Sequence, residues 1–96
     1  MNYTLYLQTS AIKDIQEAHD WYEEQKTGLG YSFLAAVGET LAQIEQNPML
    51  FVKVYHEKRR AVLQSFPYNI IFVIEEDSIR VSAVVHGKQD PQKWQK

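Results

Sequence analysis

Cysteine is absent from the 96 residues of the chain. Its absence excludes disulfide bonds, thiolate nucleophiles and cysteine-ligated metals, and it is typical of a reducing cytoplasm, the location we expect. No apolar run approaches the roughly 20 residues of a membrane helix. Residues 1–8 lack the basic cluster and apolar stretch of a signal peptide, so we expect neither a leader nor a membrane partner. Hydrophobic residues make up 45% of the chain, which is enough for one globular domain over residues 1–96.

The common cofactor and catalytic motifs are missing as well. The sequence has no glycine-rich phosphate loop, no zinc motif and no Ser–His–Asp context. The acidic run Glu75-Glu76-Asp77 lacks the spacing of a metal cage. We therefore expect no cofactor, no metal and no small-molecule substrate.

Positive charge is in slight deficit, and the charges are unevenly spread. The net charge is −2, whereas a protein that holds nucleic acid by itself usually has a basic surface. This balance argues against free nucleic-acid binding but leaves room for a local basic patch. The acids gather early, at Asp14, Glu17, Asp20, Glu23 and Glu24, and the bases later, at Lys53, Lys58, Arg59, Arg60, Lys88, Lys93 and Lys96.

The first half of the sequence predicts one strand and two helices. Tyr3, Leu5 and Leu7 alternate with polar or aromatic residues, as in a strand, and Thr9 or Ser10 is then suited to cap a helix. Gly28-Leu29-Gly30 separates the helices, the second begins near Tyr31, and Asn47-Pro48 ends it. The apolar stripes predicted to face the core are Ile12, Ile15, Ala18 and Tyr22 in the first helix and Leu34, Val37, Leu41 and Ile44 in the second.

The second half predicts a run of strands near 51–56, 59–65, 69–75 and 78–86, with a tight hairpin at 75–78. Consecutive hairpins require antiparallel neighbours. The fold class is therefore α+β with two layers, in the order β-α-α-β-β-β(-β). A helical hairpin packs on one face of an antiparallel sheet and leaves the other face free.

The alternation of the last strand predicts which residues lie on that free face. One set should meet the helices, and it comprises Ile79, Val81, Ala83 and Val85. The other set should point outward, and it comprises Arg80, Ser82, Val84 and His86. A β-bulge within the strand would reverse this assignment beyond the bulge.

Several segments together resemble the RelE/ParE superfamily of toxins from type II toxin–antitoxin systems. They are the run 59–63, Phe66-Pro67-Tyr68, the apolar run 70–74, and the ending 81–91 closed by Trp94; the first half, with Trp21-Tyr22 and Asn47-Pro48, is similar too. The resemblance covers nearly the whole chain. It implies a toxin that a cognate antitoxin, usually encoded beside it, wraps and inactivates.

The superfamily has two branches with different targets. RelE-like members cut messenger RNA on the ribosome, whereas ParE-like members poison DNA gyrase without recognised catalytic machinery. RNA cleavage needs an acid–base group and a cation for the charged phosphorane. His86 is the only plausible acid–base group on the outward face, and Arg60 is its candidate catalytic partner. Arg59, Arg80, Lys53 and Lys58 are further candidates to bind phosphate or a partner.

This set is thin, and the segments around Phe66-Pro67-Tyr68 and 86–91 are closer to the ParE-like branch. We therefore favour a ParE-like gyrase inhibitor, with a RelE-like endoribonuclease and a non-toxic interaction module as alternatives. Simpler interpretations remain for each residue: His86 as a strand-end histidine, or an arginine paired with an acid of the first helix. Trp21 and Tyr22 point about 100° apart on a helix, so one should pack inward while the other is available to a partner.

Overall fold

The computed structural model of the protein describes residues 3–87. They form five strands and two long helices, in the order β1 Thr4–Leu7, α1 Thr9–Gln25, α2 Leu29–Gln46, β2 Lys53–Tyr55, β3 Lys58–Val62, β4 Tyr68–Glu75 and β5 Ser78–His86, with a 3-10 turn at Pro48–Leu50. The predictions for Trp94 and for the end of the terminal signature lie outside the described residues.

One five-stranded sheet has the order β1-β5-β4-β3-β2. The last four strands are antiparallel neighbours, as predicted. The first strand is parallel to β5, with Leu5 opposite Ile79, so the sheet is mixed and the expectation of a wholly antiparallel sheet is wrong at this edge. Alternation shows only that a segment is a strand, because both pairings have the same period of two. The α+β class is confirmed.

Both helices pack on one face of the sheet, so the predicted two layers are confirmed. Phe33 and Ile44 of α2 are fully buried against Ile70 and Phe72 of β4 and Ile79 of β5. Removing a phenylalanine side chain from such a core typically costs about 3–5 kcal/mol. This packing fixes which face of each strand meets the helices.

The predicted stripes are confirmed except at the first residue of each. Ala18, Val37 and Ile44 are buried, and Ile15, Tyr22 and Leu41 pack half-buried against the core. In α1, Ala11 is buried and Ile12 is exposed; in α2, Phe33 is buried and Leu34 lies at the surface. Thr40 is buried because its hydroxyl donates to the carbonyl of Ala36 at 2.9 Å, which satisfies the polar group. Ile12 and Leu34 therefore lie exposed on the outer side of the helical layer.

The turn between the helices depends on Gly28 and on a carboxylate of α1. Gly28 has a φ of 89°, which glycine adopts without steric cost. Glu23 accepts the backbone N–H of Gly28 at 2.8 Å and that of Gly30 at 2.9 Å, so it satisfies free donors at the start of α2. The glycine break is confirmed, although α2 begins at Leu29 rather than near Tyr31.

Candidate functional site

A β-bulge in β5 decides which side chains share a face. Ile71 lies opposite Ala83, but its neighbour Phe72 lies opposite Val81, so Ser82 has no partner in the ladder. The Ser10 hydroxyl donates to the Ser82 carbonyl at 2.7 Å, and no side chain caps α1, so the predicted capping role of Ser10 or Thr9 is wrong. The bulge is pinned to the helical layer.

Asp14 of α1 is the second anchor of the bulge. Its Oδ2 accepts the backbone N–H of Val84 at 3.0 Å, which satisfies this donor where the ladder shifts. Burial raises the pKa of the Asp14 carboxyl, and the Val84 hydrogen bond opposes that rise. A carboxylate on a helix thus sets the course of a strand 70 residues away along the chain.

Beyond the bulge the two faces exchange. Val81 and Val84 both belong to the core against the helices, whereas Val85 is buried but outside that core. His86 also lies on the helix side, with its ring 5.2 Å from that of Tyr68. The prediction that Val84 and His86 share the outward face with Arg80 is therefore wrong, because one extra residue reverses the alternation.

The outward face carries Arg60 and Arg80 but not His86. Arg60 is exposed and pairs with Ile71 in the β3–β4 ladder. The next residue, Ala61, is fully buried against the helices, so Arg60 points to the other side. The predicted catalytic pair of His86 and Arg60 is thus divided between opposite sides of the sheet. A proton-transfer group must lie within hydrogen-bond reach of the reacting atoms, and in this arrangement the two side chains do not face a common space.

Arg80 is held by neighbouring side chains on the outward face. Its guanidinium donates to Gln8 Oε1 at 2.6 Å and lies 3.3 Å from both carboxylate oxygens of Glu75. Tyr6 donates to the same carboxylate at 3.2 Å. The Arg80 hydrogen bonds hold the pKa of Glu75 below its usual value. A phosphate would have to displace this network, so Arg80 is a poor phosphate ligand.

The other cationic candidates differ in how strongly they are engaged. Arg59 donates to the carbonyl of Phe51 at 2.6 Å and pins residues 48–52; it does not pair with an acid of α1. Lys53 lies 3.3 Å from Glu57, and Lys58 is half-buried opposite Tyr55. The backbone N–H of Arg60 donates to the Val52 carbonyl at 3.1 Å, but within residues 3–87 no hydrogen bond or ion pair of the Arg60 guanidinium is found.

Trp21 and Tyr22 divide as predicted between surface and core. The Tyr22 ring is half-buried and stacks on Phe33 at 5.4 Å, within an aromatic group that includes Phe66 and Tyr68. Trp21 is 56% exposed. The prediction that one of the two packs inward while the other lies at the surface is confirmed; that Trp21 contacts a partner stays a prediction.

A groove on the helical layer was not predicted from the sequence. It has a volume of about 370 Å³, and its lining residues are Leu7, Ile12, Ile15, Gln16, His19, Tyr31 and Leu34. Ile12 is 51% exposed and Tyr31 69% exposed. An exposed apolar groove of this kind often marks a place where a partner binds. The sequence signal for it is that each helix carries apolar residues, such as Ile12 and Leu34, in addition to those on its buried face.

Metal-binding clusters and membrane-spanning helices are both absent from the described residues. Within residues 3–87, no three His, Asp or Glu side chains are grouped in a way that would hold a metal ion. Neither helix in that part of the chain combines the length and the apolar character needed to cross a bilayer.

Comparison with known proteins assigns the family. The model of a family described as the ParE toxin of the type II toxin–antitoxin system parDE matches residues 5–91. The chain belongs to the ParE toxin family. The resemblance to the RelE/ParE superfamily is thereby confirmed, and the protein is a toxin of the type II toxin–antitoxin class. Comparison with curated protein sequences gives no match.

Solved structures share the ParE fold over most of its length. The chromosomal ParDE system of P. aeruginosa contains a chain that aligns with a TM-score of 0.79 and 14% identity, over 88% of this chain and 95% of that one. The E. coli RelBE toxin–antitoxin complex gives 0.66 and 16%, over 91% and 99%. The RelBE2 complex of Mycobacterium tuberculosis gives 0.63 and 15%, over 90% and 99%. At these identities the likeness concerns the fold.

Proposed function

We propose that this ParE-family protein inhibits DNA gyrase by binding it, without nuclease chemistry of its own. The bulge at Ser82 is the observation that carries the proposal. Because it turns His86 towards α1 and leaves Arg60 outside, the acid–base group and the cation needed for RNA cleavage are kept apart. The family match favours the same branch.

The outward face of the sheet fits protein recognition better than phosphate chemistry. Val62 lies on this face beside Arg60 and is 61% exposed, and the half-buried Val73 lies on the neighbouring strand, whereas Ile71 is fully buried beneath them. Mixed apolar and arginine surfaces are typical of protein–protein interfaces. Since Glu75 neutralises Arg80, the face lacks the dense positive charge that attracts RNA.

The proposal is tested with purified toxin in two parallel assays. We expect inhibition of gyrase supercoiling, with cleaved DNA trapped in the complex, and no cutting of ribosome-bound message. Val62→Asp on the outward face should weaken the inhibition, whereas Leu50→Asp, which changes another exposed apolar residue in the 3-10 turn, serves as the matched control.

Two results would contradict the proposal and favour its alternatives. The endoribonuclease alternative requires ribosome-dependent cleavage that His86→Ala lowers by about 10²–10⁴-fold, the usual contribution of acid–base catalysis. The non-toxic alternative requires normal growth when the protein is induced without any antitoxin. Independently of both alternatives, gyrase that keeps its full activity across a wide range of toxin concentrations would contradict the proposed inhibition.

We further propose that the groove on the helical layer receives an apolar segment of the cognate antitoxin, expected as the product of an adjacent gene. The P. aeruginosa and E. coli relatives are described as toxin–antitoxin systems or complexes. Ile12, Tyr31 and Leu34 form an exposed apolar row between the helices, and an amphipathic helix commonly docks on such a row.

A charge placed in the groove tests the antitoxin site. Ile12→Glu should weaken antitoxin binding by about 30-fold or more, as expected when a central apolar contact is lost. Leu50→Glu is the matched control, because Leu50 is 77% exposed but lies outside the groove. Isothermal titration of toxin with antitoxin measures both, and equal affinities for the two variants would place the antitoxin elsewhere.

A further inference from the structure

A second cavity lies between α1 and the end of the sheet, on the helix side of the bulge. It has a volume of about 250 Å³ and is lined by Asp14, Glu17, Ala18, Trp21, Tyr68 and His86. A neighbouring cavity of about 300 Å³ shares the side chains of Trp21, Tyr68 and His86. We call the pair the α1–β5 cavity, and it is separate from the apolar groove near Ile12.

Aromatic rings form the walls of the α1–β5 cavity. Tyr68 and His86 meet edge to face, with ring centroids 5.2 Å apart. Trp21 lies on the α1 side and is 56% exposed. Tyr22 and Phe33 hold the Tyr68 ring in place, at 6.1 and 5.3 Å. Rings fixed around an open space provide the surfaces on which a cation is attracted to π electrons.

Carboxylates supply the charge that complements a cation there. Asp14 is half-buried and uses Oδ2 to accept the Val84 N–H; no donor to its Oδ1 is found within the described part of the chain. Glu17 follows one turn later on α1 and is exposed at the edge of the cavity. Among residues 3–87, no lysine or arginine lines the cavity. Burial has the larger effect on the Asp14 carboxyl and raises its pKa, whereas Lys13, the neighbour of Asp14 on α1, acts on the same carboxyl and lowers its pKa.

We propose that the α1–β5 cavity binds the guanidinium group of an arginine side chain supplied by a partner protein. A guanidinium is flat enough to stack on Trp21 or Tyr68 and can donate two parallel hydrogen bonds to one carboxylate. A lysine ammonium is a point charge that keeps its water more firmly, and it would leave the ring faces poorly covered. The site does not depend on whether the toxin's target is gyrase.

The test uses N-acetyl-arginine amide as the probe, with the citrulline derivative as a neutral control of the same shape. Titrations are followed by NMR on labelled protein. We expect the arginine probe to shift the indole N–H of Trp21, the ring protons of His86 and the amide of Val84, and we expect the citrulline probe to leave them unchanged. The N-acetyl-lysine amide should bind more weakly than the arginine derivative.

Three variants separate the cavity from general charge effects. Glu17→Gln should lower the affinity for the arginine probe by about two- to fivefold, the usual range for an exposed ion pair. Trp21→Leu should lower it by a similar factor through loss of the cation–π contact. Glu39→Gln is the control, since Glu39 is an exposed carboxylate of α2 outside the cavity, and it should change nothing.

Each of three results would overturn the proposal. Equal shifts from the arginine and citrulline probes would show that the cavity does not select charge. Equal losses in Glu17→Gln and Glu39→Gln would show that the probe follows the overall field of the protein. Equal binding of the lysine and arginine derivatives would remove the preference for guanidinium. The surface positions of Glu17 and Trp21 keep these variants folded, which their amide spectra verify.

Discussion

Replacing Gly30 by alanine should destabilise the protein, although alanine is the better helix former. Gly30 is buried in the first turn of α2, where the two helices approach each other. A Cβ at this position would lie 2.7 Å from His19 Cδ2, 2.8 Å from the His19 carbonyl oxygen and 2.9 Å from Glu23 Oε1. The carbonyl is fixed in α1, and the carboxylate is held by the N–H groups of Gly28 and Gly30.

The magnitude follows from two opposing effects. In an open helix position the change from glycine to alanine stabilises by about 1 kcal/mol. Forcing a methyl group into a closely packed contact costs about 1–3 kcal/mol, and the upper part of that range applies because two of the three contacted atoms are held. Gly30→Ala should therefore lose about 1–2 kcal/mol. Gly38→Ala should gain about 1 kcal/mol, since nothing lies within 4 Å of a Cβ there.

The pair forms an internally controlled experiment on one helix. Thermal and urea unfolding followed by circular dichroism should separate the variants by about 10–20 °C in Tm, because 1 kcal/mol corresponds to about 4–8 °C in a domain of this size. If Gly30→Ala unfolds at the same temperature as Gly38→Ala, or above it, the helices do not approach as closely at Gly30 as the structure requires, and the reasoning fails.

Three further predictions concern the polar contacts that hold the fold. Asp14→Ala should lower the free energy of unfolding by about 1–3 kcal/mol, because the Val84 N–H at the bulge loses its acceptor; Asp14→Asn should lower it less, and urea titration of both measures the difference. Hydrogen bonds from the α2 start hold the pKa of Glu23 below the 4.5 of a free glutamate, so its stabilisation is present above that pH and lost as the pH falls through the lowered pKa. Glu23→Gln should therefore flatten the acid side of the stability profile, and an unchanged slope between pH 3 and 5 would contradict this. Arg59→Ala should speed amide exchange in residues 48–52, because Phe51 loses its 2.6 Å partner; exchange that stays slow would assign the order of this segment to other contacts.

The helices show how far periodicity alone can locate a buried face. The glycine break and the Asn47-Pro48 end were predicted correctly, because they depend on local backbone geometry. The stripe of α2 was wrong only at its first residue, because Phe33 and Leu34 are both apolar and either could begin it. Thr40 lies outside the predicted stripe and is polar, but the hydrogen bond of its hydroxyl to the Ala36 carbonyl lets it be buried. A hydrophobic pattern does not show whether a polar side chain will find a hydrogen-bond partner that allows it to be buried.

The sheet shows the same limit at a larger scale. The hairpin at Glu75–Ser78 was predicted, because a short polar turn between apolar runs has a local signature. The parallel pairing of β1 with β5 was not predicted, because it joins segments more than 70 residues apart. Similarly, the sequence contains every residue of the apolar groove and of the α1–β5 cavity, but tertiary packing alone brings them together.

The position of His86 carries the largest functional consequence of these differences. With strict alternation it would share the outward face with Arg80 and Arg60, and all three side chains would be exposed to the same partner. The bulge reverses this, and it is held by Ser10 and Asp14 of α1, residues far from β5 in the sequence. The only local sign of it was the run 83–85, where three apolar residues in succession cannot all follow a period of two. Two helix side chains thus help to decide on which side of the sheet His86 lies. The sequence pattern of β5 alone therefore does not show which face carries His86. The contacts that Ser10 and Asp14 make with the bulge must be known as well.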